Sequence, residues 1–417
     1  MNNPNAAATG AIVATYIAGE AVGAIIQMAL GDKLGRKRFM QMMCLVVTVG
    51  TVIQTAAQNY AMFLVGRILT GVAVPPESRG TIGGLSGYMI GLGACVANWI
   101  GYLCGFAPST NSFQWRFPLA LQVPPGIVLI LGLQFVLPDS PRWLIQHGRD
   151  DDARRAFERI MRSEEKEGEE ALKREFEDMR EQILYEKSTE VTSLKEAWQK
   201  YRKRVAVAVF VQTMTSLTGV NVINYYQTIL YKSLGITGQK SLLLAAIYGT
   251  VGLIMNIISI QLLDRSDLFG LAKYFGGGSN KVGAGFAILG IYMFTSIYYI
   301  FLNSTTWLYG VEVVPLFLRS KITGLASLSH FVVNIGVTQA GPSAFANIGE
   351  NYYYVFVVTT SIFFIGIFFF FPETKGKTLE MIAADFGDKV VVAGGEVIAG
   401  TGTGSEIMED DGDGDGK

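Results

Sequence analysis

The chain has 417 residues, of which 50% are hydrophobic and only 17% charged, with a net charge of −1 and a mean hydropathy of +0.33. Soluble domains carry about 25% charged residues, so an ordinary water-soluble fold is excluded. The balanced charge argues against a nucleic-acid partner, and three cysteines placed in apolar runs imply no disulfide framework. The composition predicts an all-α polytopic membrane protein.

In chain order, the first nine residues, MNNPNAAAT, lack a basic region and do not read as a signal peptide. A bilayer-crossing helix needs about 20 mostly apolar residues. Such runs are predicted near 11–30, 40–58, 82–106, 117–137, 205–231, 241–263, 284–309, 322–345 and 352–371. The run 61–74, AMFLVGRILTGVAV, is apolar but only about two-thirds of that length. The runs are continuous and Gly-rich rather than alternating, which favours helices over a barrel.

Between the first two runs stands ALGDKLGRKRF (29–39), with Asp32, Lys33, Arg36, Lys37 and Arg38. Gly31 and Gly35 would allow a tight turn there, and the basic residues would anchor it in the cytoplasm. Glu20 sits mid-span in YIAGEAVGA and Arg67 inside the short run 61–74. A charge at membrane depth is costly without a partner. Glu20 could therefore pair with Arg67, serve as a proton site, or be protonated in place.

The segment 138–204 holds 16 of the 34 Lys and Arg residues and is assigned to the cytoplasm as a set of solvated amphipathic helices. The connections near 107–114 and 346–351 carry no Lys or Arg, as expected of the outside. In the second half, Asn221 and Tyr225, Asn303 and Trp307, and His330 and Asn334 recur at i, i+4. Each pair shares a helix face expected to point into the bundle.

Span 241–263 should end inside at LLDRSD, and span 284–309 should also end inside, before Arg319 and Lys321. Two consecutive inward spans need a crossing between them, and RSDLFGLAKYFGGGSNKVG is too polar and Gly-rich to supply one. A helix is missing from the pattern. The Gly/Asp-rich end of the chain is expected to be disordered. The organisation is thus an N-terminal helical half (1–137), a cytoplasmic helical loop (138–204), a C-terminal helical half (205–386) and a tail (387–417).

The halves echo each other. PDSPR (138–142) closes the first and PETKG (372–376) the second, and Pro75-x-x-x-Arg79 matches Pro315-x-x-x-Arg319. Repeated halves joined by a charged loop mark a transporter built from parallel repeats. The chain resembles the sugar porters of the major facilitator superfamily, most of all fungal ones. The residues that carry the resemblance are GDKLGRK (31–37), GRILTG (66–71), PPESRG (75–80), QWRFPLALQ (114–122), PDSPRWL (138–144), LTGVNVINYY (217–226), WLYGVEVVPLFLR (307–319) and PETKGKTLE (372–380).

The resemblance implies two six-helix repeats, substrate held at mid-membrane, and about nine or ten of twelve spans present. Against the family pattern the first helix is absent, the fourth is cut where GVAV meets PPESRG, and the ninth is absent. By resemblance, Asp32, Arg36, Arg79, Arg142, Glu312 and Arg319 belong to a charge network that locks the halves when the site faces outward. Arg67 matches an arginine that regulates a proton-accepting aspartate on the missing first helix, which leaves Glu20 as the candidate for possible proton coupling.

Asn221, Tyr225, Trp307 and Asn334 match substrate-binding positions, and His330 stands where an amide is common. Amides suit paired hydroxyls and an indole suits a sugar ring face. Interhelical hydrogen bonding is the alternative role for the asparagines and for His330, and core or gate for Trp307. Two glutamines usual before the G-x-N motif are Thr215 and Ser216, and two more are replaced by Gly87 and Ala94. Those losses leave glucose or xylose in question and admit another polyol or an acid such as quinate.

The expected function is transport of a sugar or related polyol by alternating access, proton-coupled in the full-length form. Its expected partners are the substrate, protons and the lipid bilayer, with no cofactor. The expected location is the plasma membrane, multi-pass, with the C-terminus in the cytoplasm. The alternatives are a non-transporting sugar sensor, against which the short tail argues, and an inert truncated product. An enzyme is not expected: GLGACV lies inside an apolar helix, and no metal-ligand or nucleophile pattern occurs.

Overall fold

The computed structural model describes residues 6–72, 80–108, 112–161, 194–262, 281–315, 318–372 and 374, parts of 173–183 and 382–391, and 397–399. Helix α1 (Ala6–Leu34) is followed by α2 (Arg36–Thr55), α3 (Tyr60–Val72) and α4 (Gly80–Cys104). The next two, α5 (Phe113–Ala120) and α6 (Val123–Phe135), complete the N-terminal half. The short helices α7 (Pro141–Gln146) and α8 (Asp150–Met161) open the charged loop. The C-terminal half comprises α9 (Leu194–Leu217), α10 (Val220–Ser233), α11 (Gln239–Leu262), α12 (Lys281–Ile297), α13 (Asn303–Glu312), α14 (Arg319–Ile348) and α15 (Tyr352–Phe370).

Among the described residues, five stretches are long and apolar enough to cross a membrane: Ala7–Gly31, Lys37–Thr55, Phe113–Phe135, Trp198–Lys232 and Tyr352–Phe370. Val128, Phe135, Phe364, Phe368, Phe369 and Phe370 are all exposed. Acyl chains, not water, are the solvent such a surface fits.

Several predicted runs are interrupted, each for a physical reason. The run 117–137 breaks at Leu121–Gln122, because Pro124 and Pro125 sit in the first turn of α6, where their missing N–H groups cost nothing. The run 205–231 breaks at Gly219, whose φ of 83° is left-handed. The run 284–309 passes through a π segment, Tyr298–Leu302, between α12 and α13. Gly31 lies inside α1 rather than in the turn expected there, so Gly35 alone (φ 76°, ψ 155°) makes the break before α2.

Within the first half, α1 and α3 run parallel and close. The Tyr60 hydroxyl reaches the Ala8 carbonyl near their starts. Nearer their ends, a Cβ on Gly71 would stand 2.1 Å from the Tyr16 carbonyl oxygen, so only a small residue allows that approach. α2 returns antiparallel, with Gln54 donating to the Gly66 carbonyl at 3.1 Å and to Thr70 Oγ1 at 2.6 Å.

Two antiparallel pairs join the halves. α1 lies along α14, from Gly10 against Gln339 to Met28 against Gly324. α4 lies along α11, where Gln239 donates to the Tyr102 carbonyl and the Trp99 indole N–H to Thr250 Oγ1 at 2.9 Å. One apolar core crosses the boundary, built from Ile17, Val222, Tyr226, Phe331 and Phe356.

In the charged loop, Leu144, Ile145, Ala153, Phe157, Phe176 and Ile183 form a core of their own. Arg149 donates to Asp152 there and holds that carboxyl below its ordinary range. The tail expected to be disordered contains two short strands, β1 (Lys389–Val391) and β2 (Val397–Ala399), paired antiparallel with Val390 opposite Ile398. Their β-branched residues favour extended backbone over the disorder that Gly and Asp content alone suggests.

Candidate functional site between the halves

The first cluster is built by α1 and α3. Arg67 projects from α3 onto α1, its guanidinium 5.0 Å from the Tyr16 ring centroid and its Nε donating to the Ile12 carbonyl at 3.3 Å. Glu20, one turn after Tyr16, is 7% exposed and acts on Arg67 at longer range. Tyr225, 39% exposed on α10, falls within the electrostatic reach of Arg67, Glu20 and Tyr16. Glu20 and Arg67 of one half thus lie within electrostatic range of a tyrosine of the other. Tyr16 escaped the sequence reading, although its i−4 spacing from Glu20 was the available signal.

The second cluster lies on α9, α13 and α14. His330 is 6% exposed, and its Nδ1 is 2.9 Å from the Gln212 carbonyl oxygen. Its ring centroid is 5.5 Å from that of Trp307 and 5.3 Å from that of Phe331, edge-on to the latter. Asn334, one turn later on the same face, is 1% exposed, and Gln212 is 3% exposed. The side-chain oxygens of both amides are buried without a partner. Gln212 was also missed by the sequence reading; its signal was an amide one turn ahead of Ser216 within an apolar run.

Thr215 and Ser216 do not replace the amides expected at their positions. Thr215 donates to the Val211 carbonyl and Ser216 to the His330 carbonyl, so both hydroxyls are spent on backbone. Asn221 is half-buried in the first turn of α10. The neighbouring Tyr226 is buried and donates to the Thr338 carbonyl at 2.8 Å. Asn224 accepts from Tyr248 at 2.7 Å, and Tyr248 in turn accepts from Thr295, which fixes α10 to α11 and α12.

The sequence over residues 2–386 matches the family described as sugar (and other) transporter. The chain belongs to that family. The chain is similar to the MFS-type transporter criB of Aspergillus cristatus, 34% identical over 92% of this chain and 86% of its own. The high-affinity glucose transporter of Kluyveromyces lactis is 28% identical over 92% of this chain and 78% of its own. Among solved structures, the proton:xylose symporter XylE bound to 6-bromo-6-deoxy-D-glucose superposes with a TM-score of 0.73 at 18% identity, covering 90% of this chain and 89% of that one. XylE from E. coli in an inward-open conformation gives a TM-score of 0.70 at 18% identity, over 92% and 91% of the two chains. At such identity the likeness is one of fold. This is the major facilitator fold of a multi-pass membrane transporter.

The charged residues of this transporter are placed unevenly. Asp32 lies in the last turn of α1 and Arg36 begins α2, but their side chains lie outside the described residues, as does all of Arg79. Arg142 is exposed in the first turn of α7. Glu312 closes α13, and Arg319, which donates to the Val314 carbonyl at 3.4 Å, opens α14. The expected crossing between α11 and α12 falls on residues 263–280, also outside the described residues.

Proposed function

We propose that this transporter carries a neutral sugar or related polyol across the plasma membrane by alternating access, with the C-terminus in the cytoplasm. The observation that carries this reading is the buried polar cluster of Gln212 on α9 with His330 and Asn334 in the middle of the 30-residue helix α14, beside Trp307. Buried polar groups within a membrane bundle mark a substrate path, and an aromatic face beside amides suits a hydroxylated ring. Similarity to named glucose and xylose transporters supports the same substrate class. Glu20 and Arg67, in electrostatic range of Tyr225 across the halves, are proposed to hold the coupling proton.

Alternating access requires each half to rock about the other, and the two contact pairs α1–α14 and α4–α11 are where that motion would turn. The test is uptake of radiolabelled D-glucose, D-xylose and glycerol by the reconstituted chain. Asn221→Ala and Trp307→Ala are expected to abolish uptake while membrane levels persist. Normal uptake at unchanged apparent affinity in both would remove these residues from the site.

A further inference from the structure

We infer that Tyr248 is a positioning residue for transport: through Asn224 it holds the first half of α10 and so fixes where Asn221 and Tyr225 stand. The inference rests on the sugar or polyol reading above only in giving those two residues a substrate to meet.

The need for a tether follows from the backbone. Residues 220–225 are bounded by Gly219, at φ 83°, and by Tyr226, whose φ of −117° and ψ of 21° depart from the helix. They make fewer than two turns, and a break at each end removes the support that a continuing helix gives. Their placement therefore depends on side-chain contacts. Val220, Val222 and Ile223 are buried, but apolar burial is non-directional and sets depth rather than orientation. The Tyr226 hydroxyl, donating to the Thr338 carbonyl of α14 at 2.8 Å, fixes the break itself.

Direction for the segment comes from Asn224, whose Oδ1 accepts from the Tyr248 hydroxyl of α11 at 2.7 Å. Tyr248 is itself held in place. It is 3% exposed, the Thr295 hydroxyl of α12 donates to it at 3.0 Å, and the Tyr292 ring packs edge-on at 5.8 Å. The Tyr299 hydroxyl interacts with the same amide, and its ring lies against Gly252 of α11, where a Cβ would stand 3.2 Å away. Asn224 is half-buried, directly before Tyr225 and three residues after Asn221. A rigid node on α11 and α12 thus grips the short segment that carries both candidate site residues. Hydrogen bonds between helices in a membrane are individually modest, so the hold is one that a single hydroxyl can release without unfolding the bundle.

Tyr248→Phe keeps the ring and removes only the hydroxyl, and Asn224→Leu removes the other end of the same contact. Amide hydrogen exchange of the purified full chain would be followed together with uptake of D-glucose, D-xylose and glycerol by the reconstituted chain. In either variant, residues 220–225 are expected to exchange about three- to tenfold faster while α11 and α12 keep their protection. KM should rise by a similar factor with little change in kcat. The double variant should match the single ones, because both cut one tether.

Unchanged exchange in both single variants would overturn the tether. Faster exchange with an unchanged KM would overturn the positioning role and leave a purely structural contact. Additive losses in the double variant would show that Tyr248 does not act through Asn224. If the unmutated chain takes up none of the three solutes, the sugar or polyol reading fails, and the exchange measurement alone decides the tether.

Discussion

Gly35 and Trp143 are in contact across the turn that joins α1 to α2: a Cβ on Gly35 would stand 2.8 Å from the indole ring. Gly35 also holds φ 76° and ψ 155°, a region open to glycine and strained for other residues. Trp143 comes from α7, just beyond the last helix of the N-terminal half, so the contact ties the first turn of that half to its last segment. His147, one turn later, stacks on the same ring with centroids 4.2 Å apart.

Gly35→Ala is therefore expected to destabilise the purified protein by about 1–3 kcal/mol from backbone strain, with a further loss from the ring clash. Trp143→Ala removes the clash but not the strain. The double variant should lose less than the sum of the single losses, a coupling that thermal melts in detergent would register. Strict additivity would show that the ring and the glycine do not constrain each other.

Gly219 is the second position where backbone and neighbour agree on glycine. Its φ is 83°, and a Cβ there would meet the Phe356 ring at 2.5 Å. The break it makes between α9 and α10 sets the direction of Asn221 and Tyr225. Gly219→Ala should lower substrate affinity more than Phe356→Ala does, because it disturbs the break and the packing together. Equal losses in a binding assay would mean that packing alone matters at this position.

These two glycines show what could be read in the sequence. GDKLGRK announced a turn, and LTGVNVINYY announced a ligand-bearing helix. Which glycine bends the chain depends on Trp143 and Phe356, residues distant in sequence that no local pattern joins to it. The helices themselves were legible because continuous apolar runs of this length have few alternatives in a bilayer. Their internal breaks were not, since a proline pair or a π segment leaves a run's hydrophobicity unchanged. At the candidate site, the clustering of Trp307, His330 and Asn334 was legible as types and spacing, whereas Gln212 and Tyr16 enter only through contacts with His330 and Arg67.

The proposed proton site at Glu20 and Arg67 predicts a separation of coupling from transport. Arg67 is held by the Tyr16 ring and the Ile12 carbonyl, so it should stay in place when Glu20 is neutralised. Glu20→Gln is expected to retain exchange of substrate down its gradient while uphill accumulation driven by an imposed proton gradient disappears. Counterflow and accumulation in proteoliposomes measure the two separately. Full accumulation by the variant would assign the proton elsewhere.

The last prediction follows from α11 and α12, which run parallel. Leu244 lies opposite Tyr292, Tyr248 opposite Thr295, and Gly252 opposite Tyr299, both numbers rising together. Leu262 and Lys281 therefore stand at opposite ends of the bundle, and residues 263–280 must join them. A chain segment of eighteen residues would reach about 27 Å as a helix, short of the roughly 30 Å hydrocarbon layer. In the sequence Lys273 lies near the middle of 263–280, and a lysine carried to mid-bilayer costs about 2.5–3.5 kcal/mol on insertion scales. Replacing Cys44, Cys95 and Cys104 and then introducing Asn280→Cys or Glu350→Cys would show which face each position meets. Both should react with an impermeant thiol reagent from the face opposite Lys33 and Lys321. Lys273→Leu should increase the fraction of chains that label this way. Labelling of position 280 only from the face that carries Lys33 would mean that α12 is inverted, and with it every helix that follows.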